Sequence, residues 1–310
     1  MEKSDVPALR DFARRTWPAR DPTFLERRWW LRATPAECHV AVEGGEIHGI
    51  CGGRRQRVWL GDRVGAAVGI CDWYVGEKAR GARVGRALAE QALGGADLGW
   101  SLSLSAAAET AFHRLGWSPE PAARVPLFVG ATPIVALAGR RGSRVERRAL
   151  SVEDVARAPG RRAQGMRDAE AWRAHLALVP HRTYDLHVLG DTYAVSRRLP
   201  MGAFPRLGPQ RITLVSELSG IAGVPRVLSA VAAHAMRHGS TVMVLPLLDL
   251  DVQELVGRAG LWSAAAGYGR VRLPRLGTRF MWRGAAPAEW RVSALDCDFD
   301  LTFGADRGER

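Results

Sequence analysis

Apolar and polar positions fall into short blocks along the chain, and their spacing switches between the two-residue period of strands and the 3.6-residue period of helices. In the first half, residues 22–31 (PTFLERRWWL) place Phe24, Leu25 and Trp29 on one helical face. Residues 39–43 and 46–52 read as strands joined by a Gly44-Gly45 hairpin turn. Strands at 56–60 and 64–75 flank the turn Gly61-Asp62-Arg63. An amphipathic helix at 83–93 follows a glycine-bearing loop, then a strand at 98–105, a helix at 106–115 and a strand at 125–129. The apolar ATPIVALAG stretch after it is expected to extend or cover the first sheet.

The second half repeats this order. A helix at 168–177 precedes a hairpin of 184–189 and 192–199 across Gly190-Asp191. A strand at 211–218, a helix at 224–238, a strand at 241–247 and a helix at 250–258 follow, with strands near 269–273 and 279–283. The strand-loop-helix YVGEKARGARVGRALAEQAL has a counterpart in SELSGIAGVPRVLSAVAAHAM, which points to an internal duplication. The fold class is therefore α/β with a mixed sheet, in two modules. The expected division is a first domain over 1–137, a linker over 138–147, a second domain over 148–303 and a tail over 304–310.

The net charge of +12 changes this picture little. Lys3 and Lys78 are the only lysines, so the positive charge is arginine spread along the whole chain. The basic clusters at 54–57 and 140–148 are short and lack interleaved aromatics, which argues for a solvated basic surface rather than specific nucleic-acid binding. Cys38, Cys51, Cys71 and Cys297 form no CxxC pair, as expected of a reduced, cytoplasmic protein. No apolar run reaches the ~18 residues of a membrane span, so no membrane insertion is expected.

Chemistry concentrates between Gly69 and Leu93. The strand ICDWYV runs into Gly76-Glu77-Lys78-Ala79, then Arg80-Gly81-Ala82-Arg83-Val84-Gly85, then a helix. A loop that opens a helix presents unpaired N–H groups at the positive end of the helix dipole, which suits a pyrophosphate. Gly81 and Gly85 allow close approach, and Arg80, Arg83 and Arg86 add cationic donors. This segment resembles the GNAT (GCN5-related N-acetyltransferase) superfamily, whose Q/R-x-x-G-x-G/A loop binds the pyrophosphate of acetyl-CoA. Arg80, Val84 and Gly85 fit that pattern, while Arg83 replaces its central glycine. Trp73-Tyr74-Val75 ends the preceding strand at the family's distance from Arg80, and AFHRLGW at 111–117 resembles the family's F-Y-x-K-L-G-F segment. The resemblance covers about 110 residues. It implies that backbone amides of Trp73 and Val75 bind the pantetheine arm and that acetyl-CoA is the acyl donor.

The family's usual acid-base side chains are missing. The tyrosine that protonates the leaving thiolate corresponds to Phe112, and the glutamate base of some members falls at about Gly69. Asp72 and Tyr74, which share a strand face by period two, and His113 are the candidate replacements, with Glu109 and Ser105 nearby. Their alternative roles are structural: a hydrogen bond for Asp72, a pocket wall for Tyr74. No metal is expected. The pair His234 and His238 lacks a third ligand and reads as helix surface, His175, His181 and His187 cross from helix to strand, and Asp296, Asp298 and Asp300 read as a polar edge. The loop at 220–226 carries no recognisable phosphate motif and reads as structural or as part of the acceptor pocket. The resemblance implies an acyl-CoA-dependent N-acyltransferase for a small amine such as an amino sugar. The alternatives are a Fem-type transferase using aminoacyl-tRNA and a non-catalytic binding protein.

Overall fold

The structure, a computed structural model, describes residues 5–18, 22, 23, 25, 26, 36–81, 83–102, 104–139, 144–155, 164, 165, 167–178, 182–199, 211–263, 277–284 and 290–293. Ala82, Pro180, His181, Asp296, Cys297, Asp298, Asp300, most of the helix expected at 22–31 and the strand expected at 269–273 lie outside the described residues. The chain begins with helix α1 (Val6–Thr16), strands β1 (Ala36–Glu43), β2 (Glu46–Leu60) and β3 (Arg63–Val75), and helix α2 (Val84–Leu93). Next come β4 (Leu98–Leu102), α3 (Ala106–Arg114), β5 (Ser118–Ala131), α4 (Thr132–Ala138), β6 (Glu146–Ala149) and the single turn α5 (Val152–Val155). Then follow β7 (Gln164–Gly165), α6 (Ala169–Leu178), β8 (Asp185–Leu189), β9 (Thr192–Leu199), β10 (Ile212–Ser219) and α7 (Val224–Arg237). The last elements are β11 (Val242–Leu248), α8 (Leu250–Arg258), β12 (Trp262–Ser263), β13 (Gly277–Gly284) and β14 (Val292–Ser293).

These elements form two compact units. The first comprises Met1–Ala123, Pro159–Met166 and Arg279–Ala288; the second comprises Arg124–Ala158, Arg167–Thr278 and Glu289–Arg310. In the first unit the strand order is β1-β2-β3-β4-β13, antiparallel except for the parallel pair β3/β4. In the second it is β8-β9-β10-β11-β5, antiparallel except for β10/β11. Each unit is thus a mostly antiparallel mixed sheet with helices packed on it. The strands expected at 46–52 and 56–60 are one continuous strand, β2, because Gly52 and Gly53 stay in register with β1 and β3 rather than turning.

The two sheets exchange their last strands. Leu127–Ala131 of β5 pairs with β11 in the second unit, while β13 pairs with β4 in the first, with Phe280 opposite Leu102. The strand expected at 125–129 therefore completes the second sheet, and the one expected at 279–283 completes the first. The ATPIVALAG stretch does not cover the first sheet either. It forms α4, whose Val135 and Ala136 join the second unit's core beside Val227, Leu228 and Val231 of α7. The Ser229 hydroxyl donates to the Ala136 carbonyl at 2.7 Å, and the Thr132 hydroxyl to that of Ser240 at 2.7 Å.

The first unit's sheet carries a core on each face. On one, Leu88 and Ala92 of α2 and Phe112 of α3 pack on Cys51, Val68 and Ile70. On the other, Leu9, Phe12 and Ala13 of α1 pack on Cys38, Ile47 and Ile50. Helix α2 lies close on β2 because Gly49 and Gly53, on one strand face, have no side chain: a Cβ at Gly49 would come 3.1 Å from Leu88 Cδ1, and one at Gly53 3.2 Å from Ala92 Cβ. Among the described residues no helix is long and apolar enough to cross a membrane.

Candidate functional site

The parallel pair β3/β4 determines where a ligand can enter. Its register runs from Ala67 opposite Leu98 to Ile70 opposite Ser101, and there the pairing stops. The Ser101 hydroxyl closes the last rung by donating to the Ile70 carbonyl at 3.0 Å. Strand β3 continues to Val75, and among the described residues no strand pairs with its β4-side edge beyond Ile70. Gly76 N–H bonds back to the His48 carbonyl of β2 at 2.7 Å. Alternation along the strand then turns the amide of Val75 toward the open edge. An unpaired strand edge is a ready partner for an extended polar chain.

A bulge sits in the same segment. Ile50 pairs with Tyr74 and Gly52 with Cys71, so Asp72 and Trp73 together face Cys51. Asp72 takes a left-handed backbone with φ of 48°, a conformation aspartate tolerates better than most residues. The period-two count that would put Asp72 and Tyr74 on one face therefore does not run through this stretch. Trp73 packs in the α2/α3-side core and Tyr74 in the α1-side core. Tyr74 meets Phe12 edge-on with centroids 5.8 Å apart and tilts against Trp17 at 5.4 Å. Half-buried Asp72 lies near two buried thiols: burial first, then the Asp72 carboxylate, push Cys38 up to about 12. Burial also raises Cys51, with Cys71, Cys38 and Asp72 adding to it. These thiols are protonated and inert as nucleophiles.

From Val75 the chain turns through a 3₁₀ turn, Glu77–Ala79, into α2. Gly81 and Arg83 both have positive φ, 89° and 59°. Arg83 is the N-cap of α2 and offers no side-chain cap, so the first N–H groups of the helix have no partner from that side chain. The position that the loop pattern reserves for glycine thus has the left-handed backbone that favours glycine, and an arginine bears it. Its side chain is exposed and has no ion-pair partner among the described residues. The other two arginines are engaged: Arg80 Nε donates to the Val75 carbonyl at 3.2 Å, and Arg86 Nε to Glu90 at 2.8 Å. Gly85 is needed for contact. A Cβ there would come 3.2 Å from Val75 Cγ2 and 3.4 Å from the Trp73 ring, and Trp73 Nε1 donates to the Gly85 carbonyl at 3.1 Å.

Trp73 also reaches the third part of the motif. Its ring centroid is 4.6 Å from that of Phe112, which stacks at 4.3 Å on Trp117. The segment 111–117 is thus brought beside the strand end and the start of α2, as the sequence pattern implies. The missing acid-base groups have physical replacements. Phe112 is buried between two indoles, and a Cβ at Gly69 would come 2.6 Å from Trp100 Nε1, so the indole of Trp100 holds the place of a side chain there. Glu109 is bound at 2.8 Å to Arg279 of β13, and the Ser105 hydroxyl caps α3 by accepting from Ala108 N–H at 3.1 Å. Both are tied into structure. His113 is half-buried on α3, next to Phe112 in sequence.

The second unit repeats the geometry and fills it. The β10/β11 pairing stops after Leu214 opposite Val244, and β10 bulges between Val215 and Glu217 before running into Gly220–Gly223 and α7. Here β14 occupies the gap, Ser293 pairing with Leu247 and Val292 with Leu248 of β11. The Ser293 hydroxyl donates to Glu217 of β10 at 2.6 Å, and Arg291 donates to the Leu218 carbonyl. Glu217 is fully buried, which alone would raise its pKa; Arg167 at 3.0 Å and Arg291 at 3.3 Å, with Ser293, hold it below the usual carboxylate range instead. Sequence reading missed this cluster, because Arg167, Glu217 and Arg291 are far apart in the chain.

His234 also departs from its expected place on a helix surface. It is buried, with Nε2 3.2 Å from Asp185 and 2.9 Å from Arg147. Among the described residues no three His, Cys, Asp or Glu side chains converge as metal ligands.

Residues 6–117 match the model of the acetyltransferase (GNAT) family. No curated protein sequence matches the chain. Among solved structures it is similar to a GCN5-related N-acetyltransferase from Kribbella flavida, at 15% identity and a TM-score of 0.56, over 91% of this chain and 70% of that one. One from Anabaena variabilis aligns at 12% identity and a TM-score of 0.58, over 91% and 71%. A glucosamine N-acetyltransferase region of a fungal multi-domain GH3 β-N-acetylglucosaminidase aligns at 11% identity and a TM-score of 0.56, over 90% and 36%. The fold is that of these acetyltransferases.

Proposed function

We propose that the first unit is an acyl-CoA-dependent N-acyltransferase, with acetyl-CoA as donor and a small amine as acceptor, and that the second is a degenerate copy of the same module. The observation that carries this reading is the open β3 edge beyond Ile70, which leads through two left-handed residues to the start of α2. The pantetheine arm would pair with the Trp73 and Val75 amides as an added strand. The pyrophosphate would rest on the first turn of α2, between Gly81 and Arg86, with the partner-free guanidinium of Arg83 taking the contact a glycine amide makes elsewhere. Ala82, which belongs to the same loop pattern, lies outside the described residues.

The reaction needs little from side chains. A neutral amine attacks the thioester carbonyl, a C–N bond forms, the C–S bond breaks, and the thiolate leaves with a proton. A strand amide polarises the carbonyl. Asp72, at the bulge, takes the ammonium proton directly or through water. Tyr74 on the α1 side, or His113 beside Phe112, returns one to sulfur. Orientation supplies most of the rate, as expected where strong acid-base groups are absent. An amino sugar is the first acceptor to test, because one structural neighbour is a glucosamine N-acetyltransferase region.

One observation favours a second reading. Phe112, and Trp100 against Gly69, close both places where a catalytic side chain is expected, which suits a non-catalytic acyl-CoA-binding protein. Release of free CoA thiol from acetyl-CoA, followed across a panel of amines with glucosamine first, separates the two. Amine-dependent thiol release supports the enzyme. A protein that binds acetyl-CoA yet releases no thiol with any amine is the binding protein. Aminoacyl transfer from charged tRNA in the parallel assay would instead establish the Fem-type activity.

A further inference from the structure

The second unit has a cavity that the acyltransferase reading does not use. Strand β6 is an exposed edge strand that pairs with β8, Arg147 lying opposite His187. Between this edge and α7 lies a cavity of about 690 Å³, lined among others by Arg144, Arg147, Arg237, His187, Ala230 and Ala233. That is within the range of ~300–1,000 Å³ typical of small-molecule sites. The small side chains of Ala230 and Ala233 help leave it open.

Its charge is unbalanced. Arg147 is bound to Asp185 at 3.1 Å, and Asp185 also lies 3.2 Å from His234 Nε2, so this pair is fixed and largely neutralised. Glu146, also in the lining, is 3.8 Å from Arg148. Arg144 and Arg237 have no ion-pair partner among the described residues, which leaves two guanidinium groups unpaired at one cavity. The decisive group is His187. It is 1% exposed, and neither ring nitrogen has a hydrogen-bond partner. A buried polar side chain left without any partner is destabilising, so such groups as a rule have a partner when the site is complete. Burial, then His234, with Arg147 and Arg237 adding and Asp185 opposing, lower its pKa to about 4. The ring is neutral at pH 7, with one N–H to donate and one lone pair to accept.

We propose that this cavity binds a small organic oxyanion, its carboxylate or phosphate held by Arg144 and Arg237 and a polar group of the same molecule reaching His187. Two unpaired guanidinium forks fit either planar carboxylate or phosphate oxygens, and the neutral imidazole serves an uncharged hydroxyl or oxyanion oxygen without bringing charge into the interior. The site is built from the second unit alone and stands whether or not the first unit transfers acyl groups.

Calorimetric titration of the full chain with inorganic phosphate and, separately, with succinate tests it. Arg144 and Arg237 are exposed, so the double variant Arg144→Ala/Arg237→Ala is expected to keep the melting midpoint of the parent protein. The expected result is saturable one-to-one binding of at least one probe, weakened tenfold or more in the double variant and unchanged in Arg258→Ala, an exposed arginine outside the cavity lining. Which probe binds tells phosphate from carboxylate. Binding that survives the double variant, binding that disappears with Arg258→Ala, or no binding of either probe would overturn the assignment.

Discussion

Arg83 carries the most specific conflict between local backbone and side chain in the molecule. With φ of 59° it stands in the left-handed region, where a residue with a Cβ costs roughly 1–2 kcal/mol. The strain is tolerated at the N-cap of α2, as expected where a ligand contact offsets backbone cost. Arg83→Gly is therefore expected to raise the stability of the free protein by about 1 kcal/mol and to weaken acetyl-CoA binding. Urea denaturation checks the first effect and titration the second. A variant that is no more stable would mean the left-handed conformation is not what the chain adopts. The loop was legible at this scale because glycines and a strand-to-helix switch are local signals. The replacements for the absent acid and base were not. Nothing near Gly69 in the sequence says that Trp100, on the adjacent strand, holds its side-chain space, and nothing near His187 says that both its nitrogens lack partners.

The spacing of apolar residues located most strands and helices: helices such as α1 and α2 bury one face, while β9 and β10 are buried nearly throughout. Where an element pairs was harder to read. Residues 125–129 and 279–283 have ordinary strand patterns, but each completes the sheet of the other half of the sequence. Strand pairing is set by edges that become available in the fold, and those leave no mark on local periodicity. The same holds for Asp72, where one extra residue in β3 shifts every side chain after it. The strand exchange has a direct consequence. A fragment of residues 1–137 would lack β7 and β13, and with them Phe280 and Met281, both fully buried in the first unit. It is expected to show no cooperative thermal transition by circular dichroism. A sharp transition in that fragment would mean that the first sheet does not depend on the exchanged strand.

At the scale of the whole molecule, two sheets share one plan: hairpin, bulged strand, loop, helix and parallel return strand. They differ in what happens beyond the last parallel rung. In the first unit the β3 edge is open and meets a helix start with an unpaired arginine. In the second, β14 fills the gap and Glu217 is bound by Arg167, Arg291 and Ser293. Removing one partner of such a buried ionic cluster typically costs about 3–5 kcal/mol, so the filling is integral to that fold rather than a loose cover. The proposed acyl-CoA binding thereby falls to one unit of the two. The most direct test is isothermal titration of the full chain with acetyl-CoA at moderate salt, beside the variant Gly85→Glu. A glutamate there would crowd Val75 and Trp73 and put a negative charge at the start of α2. Saturable one-to-one binding is expected of the parent protein, and none of a variant that circular dichroism shows to be folded. No binding by the parent, or equal binding by the folded variant, would overturn the assignment.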